Sequence, residues 1–177
     1  MSEAPLDFQK RARQHTTGCN ERAREHQLSH HHYRVFSAVL NGLGAVSGAL
    51  AGGTLLAAAK TGTWWAYVAG ALSAIGAAAI ALDAQLGLKG QAEAHRLAAI
   101  RFGALRTSYY DIRLLSLNEE EGVAKVDELT ERKAEVEETS PLVEPRARKK
   151  RARQKIEAEQ RKEKAEREEA ARKAGAL

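Results

Sequence analysis

Cysteine is the residue this chain has least room to use: Cys19 is the only one among 177 residues. An internal disulfide framework is thereby excluded, and a cysteine-based zinc site would need further chains. Cys19 is expected to be an unpaired cytoplasmic thiol. Charge is missing from a long block. Residues 35–59 are 25 consecutive uncharged positions, and after Lys60 residues 61–82 add 22 more. The first residues mix acids and bases and contain no early apolar run, so no cleavable signal peptide is expected and the apolar block itself must direct insertion. The sequence also lacks a phosphate-cradling glycine loop, a nucleophile elbow and paired carboxylates at catalytic spacing. No enzymatic activity and no cofactor are expected.

The two uncharged runs carry most of what can be predicted. At about 1.5 Å per residue, each is long enough to cross a hydrocarbon core of about 30 Å. Neither has the polar face that a helix of a soluble bundle shows. The second run opens on Trp64, Trp65 and Tyr67, aromatics suited to a membrane interface. So short a connection predicts two antiparallel transmembrane helices, 35–59 and 62–82, with Lys60 at the turn. Gly44, Gly48 and Gly52 recur every four residues on the first. Ala66, Gly70, Ala74 and Ala78 make a matching small face on the second. Small residues let helix backbones approach closely in lipid, either within the hairpin or between subunits. The pattern fits both.

The basic residues outside the turn, Arg22, Arg24 and Arg34 before the block and Lys89, Arg96 and Arg101 after it, predict cytoplasmic termini by the positive-inside rule. Residues 1–34 therefore form a cytoplasmic juxtamembrane segment. Residues 83–145 form cytoplasmic helices. The first of these, 91–117, carries Ala98, Phe102, Leu105, Tyr109 and Ile112 at alternating steps of four and three, an amphipathic stripe. A break is expected over 116–122. Val123, Val126, Leu129 and Val136 then mark a second helix that folds back before Pro141. The Ala98 to Ile112 stripe serves either packing within one subunit or assembly of several.

Residues 146–177 hold 13 basic and 6 acidic side chains and almost nothing to bury, which predicts a solvated charged helix. At its start Arg146, Arg148, Lys149, Lys150, Arg151, Arg153 and Lys155 come without an acid between them. That patch suits anionic lipid headgroups or an acidic partner, with nucleic acid ranked behind because a charge run reads no bases. His26, His30, His31 and His32 lack cysteines or carboxylates at metal-ligand spacing, so interfacial packing is preferred to metal binding. His95 is expected in a buried hydrogen bond.

Two glycine- and alanine-rich spans, the helix GQAEAHRLAAIRFGALRTSYYDIRLL, a shorter charged helix and ETSP follow in order. Together with the landmarks His95, Ser140 and Pro141, the arrangement over 27–145 resembles the SLATT family, two-transmembrane effector domains of prokaryotic conflict systems. The tail from Arg146 lies outside the resemblance. The resemblance implies a bacterial inner-membrane, all-α homo-oligomer that forms a pore when a nucleotide-synthesising or nucleotide-sensing protein encoded nearby is triggered. It brings no catalytic residues. Within such a pore Asn41, Ser47, Thr54 and Ser73, the polar residues of the spans, are the lining candidates. The alternative function is a non-conducting membrane anchor or scaffold whose basic tail recruits lipid, nucleic acid or protein.

Overall fold

The computed structural model describes residues 7–61, 63–143 and 145–175, and it is helical throughout, with no strand among the described residues. Five helices follow in order: α1 (Asp7–Thr61), α2 (Thr63–Leu86), α3 (Leu88–Leu114), α4 (Glu119–Thr139) and α5 (Pro145–Gly175). The expected juxtamembrane segment and first span are thus one helix of 55 residues. Between α2 and α3 the chain turns at Gly87, whose φ of 57° is the left-handed conformation that glycine adopts without steric cost. α3 ends at Leu114 and α4 begins at Glu119, so the break falls earlier than the expected 116–122 and Gly122 lies inside α4. Asn118 caps α4 by accepting from the Glu121 amide at 2.9 Å. Three glutamates in the first turn complement the helix dipole. Ser140, extended and followed by Pro141, stops it.

The chain divides into two compact units. The hairpin unit is Gln27–Ala98; the charged unit combines Met1–His26 with Ala99–Leu177. In the charged unit, Phe8, Ala12, Cys19 and Ala23 of α1 meet Phe102, Leu105, Tyr109 and Ile112 of α3 and Val126 and Leu129 of α4 in one buried core. Cys19 is accordingly a buried thiol, and burial raises its pKa. Burying the Phe8, Phe102 and Tyr109 side chains stabilises this unit by about 1.5–3 kcal/mol each. The Tyr109 hydroxyl lies 3.2 Å from Thr130 Oγ1, so the ring is buried with its polar end matched.

The amphipathic stripe of α3 is therefore consumed inside one subunit. Phe102 is 1% and Tyr109 0% exposed, and Leu105, Ile112 and Ala98 are buried as well. Burial of these five residues within the single chain fits the packing alternative. The N-terminal part of α1 completes the core, which the periodicity of α3 alone did not indicate.

α5 is tied to the same unit by Arg151, which reaches Glu21 and Glu25 at 2.5 Å each. Glu25 is 6% exposed, and so well buried an ion pair must be kept intact, because removing one partner strands the other charge. Arg151 is thus engaged in the fold rather than presented to lipid. Arg148, Lys149 and Arg153 are exposed. The side chains of Arg146, Lys150 and Lys155 lie outside the described residues.

Two measurements check this core. A Cβ on Gly122 would lie 2.5 Å from Phe8 Cγ, so Gly122→Ala is expected to cost about 1–3 kcal/mol in denaturant unfolding. Phe8→Leu in the same chain should recover part of the loss. His15 stacks on Tyr109 at 5.0 Å, and its pKa is lowered, first by burial and then by Lys133 and Arg11, against an opposing effect of Glu137. The unfolded chain therefore takes up a proton near pH 6.5 that the folded chain refuses, and stability falls as pH drops through and below that value. His15→Phe, which keeps the stack, should flatten the acid side of the melting-temperature profile.

Candidate functional site

In the hairpin unit α1 and α2 meet along a seam of small residues. On α1 the buried positions are Ser37, Leu40, Gly44, Ser47 and Ala51; on α2 they are Ala69, Gly76, Ala79 and Asp83. Steps of three and four alternate along α1, a period near 3.5 that keeps one stripe facing a nearly antiparallel partner. Gly44 and Gly76 mark the closest approach. A Cβ on Gly76 would sit 3.1 Å from Ser47 Cβ and 3.2 Å from the Gly44 carbonyl oxygen. One on Gly44 would sit 2.7 Å from Ile80 Cγ1 and 3.3 Å from the Gly76 carbonyl oxygen. At Gly76 the obstruction is Ser47 Cβ and the Gly44 backbone, and at Gly44 it is chiefly the Ile80 side chain, so a side chain at either position would crowd the facing helix.

The four-residue glycine stripe divides accordingly. Gly44 lies in the seam, whereas Gly48, Gly52, Ala66, Gly70, Ala74 and Ala78 are exposed. Gly48, Gly52 and Gly70 would have nothing within 4 Å of an added Cβ. Large apolar side chains also point away from the seam. Val35, Phe36, Val39, Leu43, Val46 and Leu50 of α1, and Ile75 and Leu82 of α2, are each at least 42% exposed. Trp64, Trp65 and Tyr67 are exposed near the turn. Both apolar stretches are long enough to cross a membrane, and only 22% and 17% of them is buried inside the protein. The core helix of a soluble protein is mostly buried. Here the apolar surface faces outward, the arrangement that lipid stabilises and water does not.

The polar residues of the spans fall in different places. Asn41 donates from Nδ2 to Asp83 Oδ2 at 2.8 Å and to the Ser37 carbonyl oxygen at 2.8 Å, joining the helices across the seam. Ser47 is buried against Gly76. Thr54 donates to the carbonyl oxygens of Leu50 and Ala51 in its own helix, at 3.0 Å each. Ser73 is exposed. Asp83 was not among the sequence candidates, because it stands one position past the uncharged run. A signal existed: Asn41 and Asp83 are both 21 positions from Gly62, and residues equidistant from the turn of an antiparallel hairpin lie at one level.

Three of the histidines make contacts within their own unit. His30 Nδ1 lies 2.9 Å from the Ala92 carbonyl oxygen, which can only accept, so that nitrogen carries the proton. His95 is 1% exposed and stacks on Tyr33 at 5.4 Å. In the charged unit His26 stacks on Phe102 at 5.5 Å. No group of three or more metal-binding side chains occurs among the described residues.

The seam can be tested directly. Gly76→Val is expected to destabilise the protein in detergent by about 1–3 kcal/mol, since the added atoms meet backbone. Gly70→Val, made where space is open, should leave the single-subunit stability within about 0.5 kcal/mol.

Comparison with known proteins gives one assignment. Residues 15–168 match the family described as SMODS and SLOG-associating 2TM effector domain family 4. The match extends past Arg146, so most of α5 lies inside it rather than beyond it. No curated protein and no solved structure matches the chain. The match carries no enzymatic signature. With two apolar helices that turn their large side chains outward and a family match over most of its length, the chain is a membrane protein belonging to the SLATT family of two-transmembrane effector domains.

Proposed function

We propose that several copies of this chain assemble in the bacterial inner membrane, termini in the cytoplasm, and open a leak when a nucleotide-signalling partner triggers them. Family membership supports an effector role in conflict systems. One hairpin cannot enclose a pathway for solutes, so conduction requires several. The observation that carries the reading is the outward small face of Gly48, Gly52, Gly70, Ala74 and Ala78. Glycine is not needed there for packing within the subunit. In lipid such faces let helices of neighbouring copies approach closely.

The charged unit is where a trigger would act. A partner can shift the equilibrium only by binding the closed and open assemblies with different affinities. The partner class is a protein, encoded nearby, that makes or senses nucleotide signals. Membrane lipids contact the hairpin, and exposed Arg148, Lys149 and Arg153 of α5 add a basic surface for anionic headgroups. Those three residues equally support the second reading, a non-conducting anchor, in which the same surface recruits lipid or an acidic partner.

Dye-loaded liposomes containing the purified chain separate the two readings. Leakage is expected when the neighbouring genes' products and their activating nucleotide are supplied; vesicles that stay tight under those conditions favour the anchor. Gly48→Leu should shift the assembly equilibrium toward smaller species by about tenfold, near 1.4 kcal/mol, and reduce leakage with it. Unchanged assembly and leakage would show that this face does not join subunits.

A further inference from the structure

Within the charged unit, α4 has two unlike faces. Gly122, Val126 and Leu129 are buried against the core. At 3.6 residues per turn, Glu131, Glu135 and Glu138 fall on the opposite side, and all three are exposed. The acids on the flanks are paired: Asp127 with Arg11 at 2.7 Å, Glu128 with Arg132 at 2.9 Å and Glu137 with Lys133 at 3.4 Å. No ion pair among the described residues reaches the outer three. Glu131 and Glu135 stand four residues apart and Glu135 and Glu138 three, so like charges are neighbours along the helix and weaken it. Positive charge brought against this face would relieve that repulsion.

α5 carries the complement. Its Arg151 turns to Glu21 and Glu25 of α1, while Lys149 and Arg153 stay exposed. These two are also four residues apart, a second self-repelling pair of the opposite sign. Ile156, three residues further on, adds an exposed apolar side chain to the same face. Among the described residues no ion pair joins α4 to α5 within the chain. The stripes share one spacing, so two antiparallel helices side by side would set Glu135 against Lys149 and Glu131 against Arg153. An anionic membrane would attract Lys149 and Arg153 but repel the acids of the same unit. A second copy meets both.

We propose that the acidic outer face of α4 is a docking surface for the basic outer face of α5 in a second copy of this chain. The inference rests on the assembly reading above and names a contact through which the charged units join. Because the two surfaces differ, the contact can pass from copy to copy and close a ring, as an enclosed pathway requires.

The test uses the full chain in detergent, with assembly read by light scattering. Raising the ionic strength from about 0.05 to about 0.5 M should weaken assembly about tenfold, the summed screening of two or three exposed ion pairs. Carbodiimide, which couples a carboxylate to an amine only in direct contact, should link Glu131, Glu135 or Glu138 to Lys149 between copies carrying different tags. Lys149→Glu with Arg153→Glu should weaken assembly about tenfold, as should Glu131→Lys with Glu135→Lys, and the chain with all four changes should recover it. Assembly indifferent to salt, coupling confined to single copies, or no recovery in the fourfold variant would each overturn the docking surface. So would loss of binding to anionic vesicles in Lys149→Glu with Arg153→Glu while assembly is unchanged, which would assign the basic face to headgroups. Charge-dependent assembly in a protein whose liposomes stay tight when triggered would support the docking surface and refute the pore reading alone.

Discussion

Hydrocarbon offers a peptide group no hydrogen-bond partner, and every other feature of this protein is arranged around that constraint. Two continuous helices satisfy their backbones internally. Their large apolar side chains can then face outward, as Val39, Val46, Leu50 and Ile75 do. Little hydrophobic force remains to hold the pair together, since lipid tails are as apolar as leucine. Cohesion must come from close packing and a few polar contacts. The Gly44 and Gly76 approach supplies the first, and the Asn41 to Asp83 hydrogen bond supplies the second.

The charged unit follows a different logic. There a conventional buried core forms from the consecutive helices α3 and α4 and the sequence-distant start of α1, with Phe8 seated against Gly122 and Tyr109 at 0% exposure. α5 has too few apolar residues to fold on its own. It is held through Arg151 and its two glutamates, together with buried Ala147 near its start and buried Val143 just before it. The basic run is therefore not uniform. One arginine is part of the fold, and Arg148, Lys149 and Arg153 remain exposed for other charges.

Much of this architecture was legible in the sequence because lipid spans and amphipathic helices leave long, repetitive signatures. The uncharged runs predicted the two apolar helices, and Phe102, Leu105, Tyr109 and Ile112 predicted a buried stripe. The seam was less legible. A four-residue repeat advances about 40° around a helix at each step, so Gly48 and Gly52 rotate progressively away from a partner that Gly44 faces. Alternating three and four would have found Ser37, Leu40, Gly44, Ser47 and Ala51. Asp83 was lost to a boundary drawn at the first charge, as if charge always meant water. The contact between Phe8 and Gly122 has no local signature, because neither the lone aromatic nor the glycine reveals the other across more than a hundred positions.

The central claim is that the outward apolar face of α1 and α2 is solvated by lipid. Alkaline carbonate extraction of membranes from cells expressing the full chain tests it most directly, because it strips proteins held by charge or by partners and leaves those embedded in hydrocarbon. The chain should remain with the membrane pellet and dissolve only when detergent is added. Its appearance in the supernatant without detergent would contradict the account.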